Sequence, residues 1–286
     1  MGAYWFIHQK EGTRSETTVY GNKYVRDRIG KMHYIQMDTS GFSVTPGHVM
    51  MDVNDPLEES AHPVQTSESY IKKGCTLLVV KHLVSSIRHY RELYDQLLKK
   101  LEPIPVPYMV TPVVPAHLLR PELVRYFSRK GAPFLCVEVK GPEELRSVTW
   151  EWIVQAQSHK RIPLTIIVKD GENTSVDYTD LWDALSRQYG IIRLTDIQED
   201  EWLTSQNLRD SGIYPNRGDF IYGGCADYNL YRQEEGSTFD EEDDFRYHNA
   251  VPDVTVVSGK VVQVNQTLID YTPQSHVKVN VHKHFV

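Results

Sequence analysis

Cysteine is scarce in this chain, with three in 286 residues. Cys75, Cys136 and Cys225 stand far apart, which argues against a disulfide framework or a zinc ribbon and predicts reduced thiols, with a cytoplasmic location as the default. Long apolar runs are missing too. No stretch approaches the roughly 20 apolar residues that span a bilayer, and residues 1–9 carry no charged leader followed by an apolar core. Neither export nor a membrane partner is expected. Positive charge is in deficit, 31 Lys and Arg against 38 Asp and Glu, for a formal net charge of -7. Non-specific nucleic-acid binding needs a basic face, so nucleic acid is not an expected partner. The remaining composition is ordinary. A chain of this length can bury one barrel-sized core with a small appendage.

The pattern of elements changes along the chain. Residues 4–42 alternate short β-type runs (Tyr4 to Ile7, Thr17 to Tyr20, His33 to Met37) with turn residues Gly12, Gly21-Asn22 and Gly30, which predicts an antiparallel meander. Pro46-Gly47 then feeds an apolar strand at residues 48–51. A polar, Pro-bearing stretch over residues 55–69 leads into a short helix ending at Lys73-Gly74. Residues 75–80 form a continuous apolar run bounded by Gly, the pattern of a strand buried on both faces. Strands and amphipathic helices alternate after that: helix 83–101, strand 108–114, helix 123–129, strand 134–139, helix 142–158, strand 164–168, helix 178–188 and a strand start at 191–194. Strand starts recur about every 30 residues, the length of a βα unit. Such alternation predicts a parallel sheet with helices outside it. About six units are countable where a closed barrel has eight, so the barrel is expected to be shortened.

Two stretches resemble a known family. The first is Pro46-Gly47 with the strand His48, Val49, Met50, Met51 and then Asp52, Val53, Asn54. It is similar to the first-strand signature of the amidohydrolase superfamily, the dihydroorotase and hydantoinase branch. That signature has Pro-Gly, two hydrophobic residues, an Asp, then His-x-His. Met50 stands in place of the Asp, and Asp52 and Asn54 in place of the two His. The second stretch, Gly212-Ile213-Tyr214-Pro215-Asn216-Arg217-Gly218 followed by Gly223, Gly224, Cys225, Ala226 and Asp227, resembles the Gly-Leu-Tyr-Pro-x-Lys-Gly and Gly-x-Asp-Ala-Asp segments with which that branch leaves its barrel. Gly74-Cys75-Thr76 matches its second-strand start, and residues 254–262 its closing strand pair. The resemblance implies a shortened (β/α) barrel over residues 47–212 and a small β-sandwich built from residues 1–46 and 213–286.

It also implies a set of site positions. Family members hold two metals with His-x-His on the first strand, a carboxylated Lys on the fourth and His on the fifth and sixth, with an Asp on the eighth as general base. Bridged metals lower the pKa of bound water and polarise the scissile carbonyl. Asp52 and Asn54 occupy the first-strand ligand positions, and strand alternation would aim both at one site. Lys140 follows the fourth strand, although a solvent-facing loop lysine is the blander reading. Asp196 ends the last strand run, where it matches the base or, as favoured, caps the acidic helix start after it. Lys169-Asp170 and Thr195-Asp196 bring no His to the fifth or sixth strand. His82 reads as a loop residue, His282 and His284 as an exposed pair, the acidic run 234–244 as a solvated loop, and Tyr90, Tyr94 and Tyr126 as helix packing.

The expectation is therefore an amidohydrolase-like protein without dinuclear hydrolysis, acting as a binding, regulatory or scaffold protein. The rival is a hydrolase of amide or cyclic amide C–N bonds using one hard cation on oxygen ligands. No cofactor is expected under the first reading, and a divalent Zn, Mn or Mg under the second. A small-molecule ligand fits either. Two exposed sheet edges predict a homodimer.

Overall fold

Gly47 is where two kinds of sheet meet. The computed structural model of the chain describes residues 2–10, 13–26, 33–158, 160–168, 178–194, 197, 202–233 and 250–279. Asp196, Lys169, Asp170, His282, His284 and the acidic run 234–244 lie outside the described residues.

Before Gly47, strands β1 (Ala3–Lys10), β2 (Thr13–Tyr20), β3 (Lys23–Val25) and β4 (Ile35–Gln36) form a sheet in the order β3-β2-β1-β4. The first three run antiparallel as expected, but β4 lies parallel to β1. Strand β5 (Phe42–Pro46) leaves this sheet for another. After Gly47 come β6 (His48–Met51), α1 (Pro63–Lys72), β7 (Cys75–Leu83), α2 (Tyr90–Leu101), β8 (Tyr108–Pro115), α3 (Pro121–Lys130), β9 (Leu135–Val139), α4 (Pro142–Ser147), α5 (Trp150–Gln157), β10 (Leu164–Val168), α6 (Tyr178–Tyr189) and α7 (Ser205–Asp210). Strands β6 to β10 pair in sequence order, all parallel, and curl into a half-barrel. The chain finishes with β11 (Tyr228–Arg232), β12 (Val254–Val257), β13 (Lys260–Val264) and β14 (Thr267–Leu268), which with β5 make an antiparallel sheet in the order β14-β13-β12-β11-β5.

Three expectations about elements are corrected. Strand β7 does not stop at Val80: its pairing with β8 continues to Leu83 and Val113, and the helix begins only at Tyr90, after a turn in which Ser86 Oγ accepts from the amides of Arg88 and His89. The helix expected over 142–158 is two helices. Between them Val148 is extended (φ -72°, ψ 134°), and the Trp150 indole donates to the Leu145 carbonyl at 2.8 Å across the break. The strand start at 191–194 shrinks to a single parallel bridge, Arg193 beside Leu164, with Leu194 donating to the Leu164 carbonyl at 2.8 Å.

Side-chain alternation sorts the parallel sheet into two faces. Met50, Leu78, Val80, Val110, Val114, Val137 and Leu164 pack with Ile71, Leu97, Phe127, Ile153 and Trp182 of the helices in the larger core. Val49, Met51, Leu77, Val79, Met109, Val113 and Cys136 point the other way, into the concave face. In a closed barrel that face would meet more strands. Here Leu203, Leu208 of α7 and Ile213 fill it. The same stretch covers the far edge of the half-barrel: Trp202 bridges Met50 antiparallel, and Leu203 donates to the Val49 carbonyl at 3.0 Å. The chain thus passes from the β10 edge at Leu194 to the β6 edge at Trp202 within about eight residues, a reach of at most ~27 Å. Both parallel edges have a short cover, which removes the physical reason for expecting self-association at those edges.

The antiparallel sheets share a third core of Phe6, Val19, Tyr24, Val44, Ala226, Tyr228, Leu230 and Val256, drawn from both ends of the chain. The β12–β13 hairpin turns on Ser258 and Gly259 at φ 51° and 75°, the left-handed pair that a tight two-residue turn requires.

Candidate functional site at the carboxyl end of the parallel strands

In parallel barrels chemistry sits where the strands end, on the side that faces inward. Continuing the alternation of each strand toward its carboxyl end gives Val53 after β6, Lys81 and Leu83 on β7, Val113 and Pro115 on β8, Glu138 on β9 and Ile167 on β10. Val113 belongs to the concave core, and Val53 and Ile167 pack partly buried against it. Among the described residues one cation, one anion and five apolar side chains hold these positions, and the exposed His117 lies two residues beyond β8.

Below Lys81 the concave face turns polar. Its neighbour in register on β8 is Thr111, whose hydroxyl donates to the Phe134 carbonyl at 2.7 Å. Cys136 lies next to it, fully buried, and burial pushes its thiol up to about 12 while the Lys81 charge and the Thr111 hydroxyl oppose that shift. Such a thiol is inert as a nucleophile at neutral pH. The Lys81 ammonium donates to the Val53 carbonyl at 3.3 Å and, among the described residues, forms no ion pair. Sequence alone does not place Lys81 here, because it predicts a strand that ends at Val80. Extending the odd-numbered inward parity of Leu77 and Val79 by one step would have found it.

The predicted ligand positions fall elsewhere. Strand β6 ends at Met51, and Asp52 continues the parity of Met50, toward the helices. It is fully buried, with one carboxylate oxygen accepting from the Leu57 amide at 2.9 Å and the other from the Lys81 amide at 2.7 Å. Burial raises its carboxyl to about 7 against the pull of those two amides and of the Lys81 charge. Asn54 is exposed, on a bend beyond the strand. The two do not face one site together, because regular alternation stops with the strand. Lys140 is exposed after β9, its amide donating to Glu144 at 2.9 Å. With β7 and β8 between β6 and β9, it lies roughly 14 Å around the sheet from the Asp52 strand.

His82 is corrected from loop residue to buried strand residue. It faces the helices edge-on to Tyr94 and Phe127, and its Nδ1 sits 2.7 Å from Glu58. Glu58 also accepts from the Leu83 amide at 2.7 Å, and Lys100 donates to its carbonyl at 2.6 Å, so the loop after β6 is pinned to the sheet end. Tyr90, Tyr94 and Tyr126 pack as expected, meeting edge to face at 4.9 and 6.0 Å about Tyr126. Among the described residues no three His, Cys, Asp or Glu side chains gather as a metal cluster. A dinuclear centre is not matched by this donor set.

The second motif stretch lies at the opposite, amino end of the strands. Arg217 and Asp227 form a buried ion pair in which the guanidinium also donates to the Thr76 carbonyl at 3.3 Å. The second Asp227 oxygen accepts from the Ser258 amide at 2.7 Å, and its carbonyl accepts from the Gly47 amide at 2.9 Å and the Tyr24 hydroxyl at 2.7 Å. One residue thereby joins the half-barrel to both antiparallel sheets. Burial holds the His48 imidazole down at about 3; its ring lies tilted against Trp202 with centroids 3.7 Å apart, and its Nε2 is 2.6 Å from the Tyr231 hydroxyl.

No protein-family model and no curated protein sequence matches the chain. Solved structures do. L-hydantoinase (dihydropyrimidinase) from Arthrobacter aurescens aligns over 94% of this chain and 98% of its own, at TM-score 0.57 and 11% identity. Dihydropyrimidinase from Brevibacillus agri NCHU1002 aligns over 98% and 100%, at 0.56 and 10%. N-isopropylammelide isopropylaminohydrolase from Burkholderia multivorans ATCC 17616 aligns over 94% and 100%, at 0.53 and 12%. At such identities the likeness shows the fold, which is amidohydrolase-like.

Proposed function

We propose that this chain uses an amidohydrolase-like fold to bind a small molecule or a partner, as a binding, regulatory or scaffold protein, and that it does not carry out dinuclear metal hydrolysis. The observation that carries this reading is the set of inward strand-end residues Val53, Lys81, Leu83, Val113, Pro115, Glu138 and Ile167. Two-metal hydrolysis needs several nitrogen and carboxylate ligands converging on one point. Apolar side chains at five of these seven positions leave few donors, and both Asp52 oxygens already serve backbone amides. The rival, a C–N hydrolase with one hard cation on Asp52 and Asn54, would need those two side chains on one face, and nothing in their placement favours it. Within the same proposal the antiparallel sheets form one β-sandwich from residues 1–46 and 213–286 around the half-barrel of 47–212. Their shared core supports that division.

Metal analysis of untagged protein, paired with amide and cyclic-amide hydrolysis assays, tests the reading. We expect far less than one Zn, Mn or Fe per chain and no turnover. One metal ion per chain, lost together with an activity in Asp52→Ala, would establish the rival instead.

A further inference from the structure

We propose that residues 272–279 form a pH-sensitive strap at the amino end of the parallel strands, closed at neutral pH and released in mild acid, with His276 as the residue that releases it.

Strand β8 begins at Tyr108, but its backbone pairing with β9 begins only at Val113 and Cys136. The strap spans from the unpaired start of β8 to the turn that precedes β9. His276 bridges Tyr108 in parallel, the Val277 amide donates to the Tyr108 carbonyl at 2.7 Å, and the Val279 amide donates to the Gly131 carbonyl at 3.0 Å. Val277 and Val279 both pack against the concave core. The fit is close: a Cβ on Gly131, at φ +83°, would come within 2.6 Å of the Lys278 Cβ. Leading into the strap, residues 269–275 adopt no helix or strand, Ile269 and Tyr271 are exposed, and the Gln274 amide donates to the Ile104 carbonyl at 2.9 Å. A segment held by scattered backbone bonds without a ladder belongs to the low-stability end of a fold, where local opening precedes global unfolding.

The closed strap sets His276 in a place that suits only a neutral ring. Its imidazole is stacked on Tyr108, centroids 5.4 Å apart and planes 15° apart, and meets Tyr94 of α2 at 6.5 Å. Two cations face it, Lys278 on the strap itself and Lys130 at the end of α3. Of the carboxylates in this corner, Asp95 of α2 is paired with Lys130 at 3.5 Å and Glu102 lies beyond the end of α2, near Tyr108. Lys130 also sits over the Tyr94 and Tyr126 rings at 5.3 and 5.4 Å. Burial pushes the Tyr94, Tyr108 and Tyr126 hydroxyls above their ordinary value, so they stay neutral from neutral pH into acid. Burial first, then the Lys278 and Lys130 charges, hold the imidazole down at about 4 from its ordinary 6.5. A released strap returns the ring to water and to that ordinary value. Below 6.5 the released form therefore binds a proton that the closed form does not, and falling pH favours release until about 4.

The experiment is hydrogen exchange of the full chain, read at single amides by NMR and corrected for intrinsic exchange at each pH. Between pH about 7.5 and about 5 the opening constant of the Val277 and Val279 amides should rise at least about tenfold. The Leu78 amide, which donates to the Pro107 carbonyl within the sheet, should stay better protected throughout. His276→Phe keeps a flat ring for Tyr108 without a titrating group, so its strap amides should open to the same extent at every pH in that range. An equal rise in wild type and His276→Phe would overturn the proposal. So would strap amides that open only together with Leu78, which would make the segment part of the global fold. Wild-type protein gives a further reading that needs no variant: the His276 ring protons should titrate well below 6.5, and a ring titrating at that ordinary value would overturn the proposal as well.

Discussion

The two ends of the parallel strands have been put to different physical uses. At the amino end several motif residues are locked by close approach. A Cβ on Gly47 would come within 2.3 Å of the Thr76 hydroxyl, and one on Gly74, at φ +88°, within 2.7 Å of the Asn229 amide, which itself donates to the Gly74 carbonyl at 2.9 Å. Arg217 and Asp227 complete the joint as a buried ion pair. At the carboxyl end Val53, Lys81, Glu138 and Ile167 are only partly buried, so packing constrains their identity less. A joint between three sheets tolerates few residues at each point, whereas side chains at a mouth are less constrained. A family-like sequence frame can therefore mark the fold without fixing what the mouth does.

The largest expected effect is at the joint. Arg217→Ala leaves the Asp227 carboxylate buried beside an empty space, and loss of one partner of a buried pair costs about 3–5 kcal/mol. Urea denaturation should read this as a midpoint shift at unchanged slope. A loss below about 1 kcal/mol would mean that the pair is solvated and that the two ends are not so different.

An intermediate effect is expected at Asp52, which belongs to the carboxyl end by sequence but is packed like the joint. Asp52→Ala strips the Leu57 and Lys81 amides of their acceptor, at about 1–3 kcal/mol for the unsatisfied groups. The folded carboxyl titrates near 7 against 3.8 in the unfolded chain, so between those values the folded state holds more protons. The stabilisation from this group is fully present below pH 3.8 and declines as pH rises toward 7. The stability gap between wild type and Asp52→Ala should therefore shrink across that window. A gap that widens with pH would place an ionised, paired Asp52 at the site.

The smallest effect sharpens the comparison from the other side. Asn54 and Lys140 are exposed, and Asn54→Ala and Lys140→Ala should each leave the melting temperature unchanged within about 2 °C. A fall comparable to that of Asp52→Ala would place them in a packed site after all.

Much of the fold was legible in the residues. The change from alternating short strands to βα units, the buried run at Cys75 to Val80 and the Ser258-Gly259 hairpin all follow from periodicity and turn chemistry, which are local. Element ends were less so. Leu83 was read as helix because it fits a 3.6-residue period, but pairing with Val113 across the sheet holds it in β7. That one shift moved Lys81 and His82 from a loop into a strand and aimed them at opposite faces. The predicted site suffered from the same limit, since Asp52 and Asn54 were aligned by an alternation that ended at Met51.

By itself the sequence determined the order of elements, the turn at Gly47, the buried character of the parallel strands and the lack of a His at Lys169-Asp170 and Thr195-Asp196. Those properties depend on residue type and short-range spacing. Only the tertiary structure decided which side chains line the mouth, that Asp52 is spent on the Leu57 and Lys81 amides, and that Trp202 and Leu203 cover the β6 edge. The reason is that strand ends and facing are set by partners on neighbouring strands, such as Lys81 with Asp52 and Val113 with Leu83, and edge cover by the far more distant Trp202, whose hydrogen bonds exist only once the sheet has formed.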